Sequence, residues 1–307
     1  MALLAGGSWN GNVMSAFSAN RRRILSLWLH RLPIDRIQRQ FARHNAALAK
    51  DVSNEFGTGS AKQIAEQNHP CIVVAKQNNA LQIFALDEAA ARLGLEIGLP
   101  LANARAICPH LEVYDADEAA DAKTLTDIAE WCDRFTPLVA LDPPHGLFLD
   151  ITGCVHLFGG EAAMMRLLCD LLTAQGFAVS AAIAGTAVCA GTMNHHVHGR
   201  IVSDGAEASA AAPLPISALG ADAAVLTGLR RAGLKNIGDV AGRQRHEITA
   251  RFGAAFTTLL EQALGQSDTP ISARKPLPDY IVERRFAEPV ATEVVISATL
   301  SDWPRCW

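Results

Sequence analysis

The hydrophobic pattern along the chain changes period several times, and each change marks an element. The basic run Arg21–Arg23 leads into ILSLWL, a short apolar stretch suited to a buried strand. Residues 44–50 are alanine-rich and read as helical, and residues 51–68 as polar and flexible. From Pro70, CIVVAK and ALQIFAL predict two strands separated by the turn residues Gln77, Asn78 and Asn79. Glu88–Leu93 is expected to be helical and closed by Gly94, and Ala102, Ala106 and Ile107 are spaced for a second helix that Pro109 stops. Residues 119–134 predict an amphipathic helix with Leu125, Ile128, Ala129 and Cys132 on one side. Leu147–Thr152 then reads as a strand, Glu161–Gln175 as a helix capped by Gly176, and FAVSAAIAG as a returning strand, a succession that argues for a mixed α/β layer. An Ala-, Ser- and Pro-rich boundary at 203–220 precedes a wholly helical region from Leu226 to Gly265. Residues 266–279 carry Pro270, Pro276 and Pro278 without periodicity and read as a linker, and no internal repeat is evident.

Composition sets limits rather than a function. A chain of 307 residues that is 50% hydrophobic and 19% charged is long enough for two or three domains and a sizeable core. No run of about 18 apolar residues occurs, and the opening MALLAGGSWNGNVMSAF lacks the charged start of a secretion signal, so a cytoplasmic protein is expected. Residues 1–21 read as a disordered tail, with Met14 as a second candidate start. Seven cysteines without a CxxC pair fit reduced core residues better than disulfides or a zinc site. The formal net charge of −4 does not advertise nucleic-acid binding, but a global sum can hide a local basic surface.

That surface lies in LRRAGLKNIGDVAGRQRHEITARFG, from Leu229 to Gly253. Gly233, Lys235, Asn236 and Gly238 form a glycine-bounded turn between two helical stretches, the helix-hairpin-helix pattern. The glycines allow close approach to a DNA backbone, and N–H groups at the next helix start are expected to hold a phosphate oxygen. Around them Arg230, Arg231, Lys235, Arg243, Arg245 and Arg251 stand against Asp239 and Glu247, a local net of +4. Such contacts read no base sequence. The plainer alternative is a small helical bundle with a solvated basic face.

Two histidine groups need a reading. His195, His196 and His198 lack further zinc ligands at a defined spacing and read as a surface turn. His145 with Asp142 or Asp150 offers acid–base residues, which would matter only if strand alternation brought them together in a cleft.

Taken together, three segments resemble a Y-family (translesion) DNA polymerase core, and more closely its catalytically degenerate ImuB-type branch, from Ile24 to Ile296. ARLGLEIGLPLANARAICP is similar to the fingers pattern, LFLDITGCVHLFGGE to the palm signature of the ImuB type, and the helix-hairpin-helix matches the thumb by position and type. The resemblance implies an α/β (α+β) fold with palm at 22–35 and 112–203, fingers at 36–111 and an all-helical thumb at 204–265. A linker at 266–280 and a little-finger remnant at 281–307 complete this expected organisation, with a truncation inside the little finger.

Active members of that family hold their metal ions with carboxylates, which this chain lacks at the matching positions. In ILSLWLHRLP the first metal-binding Asp falls on Trp28 and the second Asp on His30. In HGLFLD the metal-binding Asp falls on His145 and the adjacent Glu on Gly146, while a later structural Asp survives as Asp150. The fingers Tyr and Arg that hold the incoming triphosphate fall on Glu88 and Ala91, and a palm Asn-Lys pair on Thr186 and Ala187. Trp28 is expected to pack into the vacated metal pocket.

Phosphoryl transfer depends on positioning and charge neutralisation by metal ions, so these losses imply a protein without catalytic residues and without bound magnesium. The function expected from the resemblance is a DNA-binding scaffold of translesion synthesis. Its implied partners are DNA without sequence preference, a RecA-related accessory protein, an error-prone replicative-type polymerase and the β sliding clamp. The resemblance places the clamp-binding peptide beyond the little finger, and no glutamine-led apolar clamp motif occurs in this sequence. An active polymerase with reassigned ligands and an inert truncated product are the competing readings.

Overall fold

The computed structural model describes residues 22–43, 70–77 and 79–274. The readings made for residues 1–21, 44–68 and 281–307 lie outside the described residues.

Strand β1 (Ile24–Leu29) opens the fold, followed by helix α1 (residues 32–43). Next come β2 (Cys71–Gln77), β3 (Ala80–Leu86), α2 (Glu88–Arg92), α3 (Leu101–Ile107) and β4 (Glu112–Asp115). Helix α4 (Glu118–Cys132) leads to β5 (Val139–Asp142), β6 (Gly146–Asp150), α5 (Glu161–Ala174), β7 (Val179–Ala184) and α6 (Ala187–His196). Five further helices complete the described chain: α7 (Glu207–Ala211), α8 (Ala223–Arg231), α9 (Ile237–Ala241), α10 (Arg245–Phe252) and α11 (Ala254–Ala263).

Two sheets organise these elements. The first has the order β5-β6-β1-β7, with β1 antiparallel to both neighbours. Its faces are covered by different helices, which explains why ILSLWL is apolar almost throughout instead of alternating. Leu25, Leu27 and Leu29 point into a cluster with Leu125, Ile128, Ala129 and Cys132 of α4 and Met164, Leu168 and Leu172 of α5. Ile24 points the other way, into a cluster with Cys189, Ala190 and Met193 of α6 that continues through Leu229, Ile237, Val240 and Leu260. The expected helix face at Leu125, Ile128, Ala129 and Cys132 is therefore the buried one.

The second sheet has the order β3-β2-β4, with β4 parallel to β2. Residues 112–115 thus join the layer built by residues 70–107. Helix α1 ties the layers together, since Leu32 packs with the α4–α5 cluster whereas Ile34 and Ile37 pack on Cys71, Val73 and Ala85.

The Ala- and Pro-rich stretch at 203–220 is packed rather than open. Ala211, Leu214, Ile216 and Leu219 are buried against α6 and the helical region. The described part of the linker also docks, where Arg274 N donates to Val139 O at 2.7 Å and the Arg274 guanidinium pairs with Glu130 at 2.9 Å.

Polar groups lock the α6 side of the first sheet. Asn194 is fully buried, and its Nδ2 donates to Ser26 O at 3.1 Å, Ser26 Oγ at 3.2 Å and Ser180 O at 3.2 Å, while its Oδ1 accepts from Ser180 Oγ at 2.7 Å. Truncating it would leave two buried serines without partners, a loss that costs roughly 1–3 kcal/mol per unsatisfied group. Asn194→Ala is accordingly expected to lower the unfolding free energy by about 2–4 kcal/mol in urea titrations.

Candidate functional site

The strand register brings two of the four degenerate positions together. Trp28 lies directly opposite Gly146 of β6 on one side and Ser180 of β7 on the other. Leu29 N donates to His145 O at 2.9 Å and His30 N to Ala178 O at 3.1 Å, so the chain stays pinned to both neighbours to the end of β1.

Trp28 is half-buried and meets histidine rings on two sides. Its ring centroid lies 4.6 Å from that of His30 and 4.0 Å from that of His195, and His30 lies 5.1 Å from His198. Helix α6 delivers these partners, because its C-terminal turn reaches the Trp28 end of the sheet. His195 and His198 are exposed at that helix end and in the turn after it, as a surface turn requires, yet they also belong to this ring cluster. Nothing in the local sequence pairs them with Trp28; the signal is purely the direction in which α6 runs back over the sheet.

Partial burial holds the His30 imidazole below its usual value, with His198, Arg31 and His195 adding to the effect. Partial burial does the same to His195, helped by His196 and His198. His145 is also lowered by burial, against a smaller opposing pull from Asp121. The carboxylate acting on His145 is thus Asp121 on α4, which itself pairs with Arg36 at 2.6 Å, and not Asp142 or Asp150. Asp150 serves the sheet end, accepting from Thr152 N at 3.0 Å and pairing with Arg22 at 3.2 Å.

Gly146 is shaped by its neighbour across the hairpin. A Cβ there would stand 2.8 Å from Asp142 Oδ2 and 2.9 Å from Asp142 O. The Asp142 carboxyl, raised by burial, therefore lies over the position that a longer side chain would need. Magnesium takes near-octahedral oxygen coordination, usually with one or two carboxylates from the protein. Indole, imidazole and a bare glycine do not fit that ion, and no described group of three His, Cys, Asp or Glu residues is disposed to hold a metal.

The other expected triphosphate contacts lie elsewhere. Ala184 pairs with Ile24 whereas Ser180 pairs with Trp28, so Thr186 and Ala187 follow the far end of β7, more than roughly 13 Å along the strand from Trp28. Thr186 caps α6, accepting from Cys189 N at 3.1 Å, and donates to Gln262 O at 2.6 Å. Glu88 and Ala91 sit on α2 beside the second sheet, where Glu88 approaches Arg92 at 3.9 Å.

The basic segment folds as α8, a turn at 232–236, and α9. Arg230, Arg231, Lys235, Arg243, Arg245 and Arg251 are all exposed, as are Gly233 and Asn236. Arg245 is paired with Glu261 at 2.8 Å. Gly233 has φ +77°, which a side chain would resist, with open space around it. The expectation that amides at the next helix start hold a phosphate is corrected by their internal bonding. Lys235 N and Asn236 N both donate to Asp239 Oδ2 at 2.9 Å, Ile237 N donates to Leu214 O at 2.9 Å, and Gly238 N donates to Ala212 O at 2.9 Å. Those two amide bonds draw the Asp239 carboxyl below its usual value. Gly238 is needed for packing, since a Cβ would meet Ala212 O at 3.0 Å. The exposed basic side chains are the polar groups this segment leaves open to solvent.

Comparison with known proteins agrees with this architecture. Residues 58–194 match the impB/mucB/samB family. The solved structure of DinB from Sulfolobus solfataricus superposes with a TM-score of 0.59 over 81% of this chain and 69% of that one, at 14% identity. The insertion ternary complex of Dbh DNA polymerase superposes equally well, with a TM-score of 0.59 and 15% identity over 81% and 69% of the two chains. The fold is that of the Y-family polymerases. Protein ImuB of Caulobacter vibrioides is 37% identical over 211 residues, covering 68% of this chain and 46% of that protein. A DNA polymerase IV from Desulfatibacillum aliphaticivorans is 26% identical over 66% of this chain and 52% of its own length. The chain is an ImuB-type homologue of the Y-family polymerases, and it spans about half the length of the curated relatives it matches.

The crowding at Gly146 is directly testable. Gly146→Ala is expected to destabilise the fold by about 1–3 kcal/mol in urea, as overpacking does. Adding Asp142→Ala should recover part of that loss, and the contact with the backbone carbonyl should keep the remainder.

Proposed function

We propose that this chain is a non-catalytic, DNA-binding scaffold in DNA damage tolerance, a polymerase-shaped protein that holds DNA and other proteins at a lesion without joining nucleotides. The observation that carries this reading is the pairing of Trp28 with Gly146 across β1 and β6, at the strand end where active relatives resemble one another in their carboxylates. Two-metal phosphoryl transfer needs oxygens around both ions to offset the charge that develops on the phosphate. Asp142 is the carboxylate beside Gly146, and it favours the rival reading of an active enzyme with reassigned ligands. A single carboxylate supplies too few oxygens for two ions, and burial disfavours its charged form.

DNA binding is supported by the exposed basic side chains from Arg230 to Arg251, by the relatives named as DNA polymerases and by the Dbh ternary complex, which carries the same fold. Because the amides of the turn are engaged internally, the grip is electrostatic and carried by side chains. By its ImuB resemblance the scaffold would join a RecA-related accessory protein and an error-prone replicative-type polymerase, with the β sliding clamp as a further partner.

Primer extension with pure protein and either magnesium or manganese tests the central claim. No incorporation above a no-protein control is expected, and robust extension would overturn the scaffold reading. Fluorescence anisotropy with a primer–template duplex should give an affinity that falls steeply with salt, and Arg230→Ala with Arg231→Ala should reduce the slope of log K against log salt by about 2. An unchanged slope would remove these arginines from the interface.

A further inference from the structure

The ring cluster at the end of β1 is not explained by packing alone. Packing buries rings, but His195 and His198 remain exposed and His30 and Trp28 only half-buried. Their arrangement is nevertheless fixed from two sides: β1 is hydrogen-bonded to β6 and β7, and Asn194 anchors α6 to Ser26 and Ser180 one residue before His195. His198 Nδ1 donates to the Asn194 carbonyl at 2.7 Å, since a carbonyl can only accept. Trp28 spaces His30 from His195.

We propose that this imidazole cluster, His30 with His195 and His198 beside Arg31, is a metal-free cradle for a phosphodiester group of a bound DNA strand. The inference rests on the DNA-binding reading and adds to it a second contact, at the place where metal ions would otherwise meet the phosphate. Imidazole N–H groups donate to phosphate oxygens, and a protonated ring adds charge to the hydrogen bond. The charges acting on His30 come from His198, Arg31 and His195, and those on His195 from His196 and His198; Arg31 itself stands 3.8 Å from the buried Asp35 carboxylate, which offsets part of its charge. Burial first, and the neighbouring cations second, disfavour the protonated rings of His30 and His195, and a phosphate would offset that penalty. A metal ion fits less well, because no described group of three such residues is disposed to hold one.

The sign of the pH effect follows from this arrangement. A phosphodiester stays anionic from about pH 8 to pH 5.5, whereas histidine titrates within that range. Binding raises the imidazole values and takes up protons, so affinity must rise as pH falls, by up to tenfold per pH unit for each proton taken up. The test is anisotropy of a labelled primer–template in chelator, at low salt, between about pH 7.5 and about pH 5.5, with circular dichroism checking that each protein stays folded. The wild type is expected to bind about tenfold more tightly at the acid end, and His195→Ala with His198→Ala to lose most of that gain. Both side chains are exposed, so the double variant should fold; His195→Asn with His198→Asn serves as a second check. Equal pH slopes in wild type and both variants would overturn the cradle while leaving the DNA-binding reading intact. Absence of DNA binding at every pH would overturn both, and affinity that appears only with an added divalent metal would overturn the cradle in favour of a metal site. Loss of the slope on adding orthophosphate at the concentration of DNA phosphate would assign the cluster to free phosphate and overturn the strand contact.

Discussion

Everything at the candidate site depends on β1 being hydrogen-bonded along both edges. A strand held on one side can shift register or bend, but one paired from Ile24 to Trp28 with β6 and from Ile24 to Leu29 with β7 can do neither without breaking two ladders. That constraint fixes the residues facing Trp28 and the direction of its ring. It also gives Asn194 a rigid target, since Ser26 and Ser180 are neighbours across the β1–β7 ladder side of the same face. One buried amide thereby sets the height of α6 over the sheet, and the next residue, His195, reaches Trp28 as a consequence.

Much of the fold was legible in the sequence because its strong signals are local. ILSLWL, CIVVAK, ALQIFAL and the helix with Leu125, Ile128, Ala129 and Cys132 each carry enough apolar residues at one period to name their element. The misses are elements whose stability is supplied from outside. Strand β4 is short and half-exposed and exists because it pairs in parallel with β2. Helix α6 lacks a clear apolar stripe and is held by the Thr186 cap and Asn194. Neither dependence can be seen within a window of a dozen residues.

The site divides along the same line. That Trp28, His30, His145 and Gly146 stand where the family resemblance leads one to expect carboxylates is a statement about residue identity, read from sequence alone. What replaces them is a statement about approach between distant segments, as with His195 and His198 meeting Trp28 and His30, or Asp142 lying over Gly146. The glycine-bounded turn failed in the opposite sense. Its pattern was read correctly as a turn between helices, but its amides are consumed by Asp239, Leu214 and Ala212. A five-residue helix packed this closely has few free N–H groups left to offer a ligand.

Under the proposed function, electrostatics would link the loss of a metal site to a gain in tolerance for phosphate. A pair of ionised carboxylates at positions 28 and 146 would face a DNA phosphate with like charge, and at about 4 Å and an effective dielectric near 20 each such pair costs about 4 kcal/mol. Active enzymes cancel that repulsion with divalent cations, so their hold on the strand at this point is conditional on metal. Indole, imidazole and glycine remove the repulsion outright. On that reading, the same residues that offer no oxygens to a metal ion leave a surface that tolerates phosphate without one, and protonation of the exposed histidines would add to that tolerance. Under the proposed function, giving up the metal at this strand end is thus not a neutral loss for a protein that holds DNA.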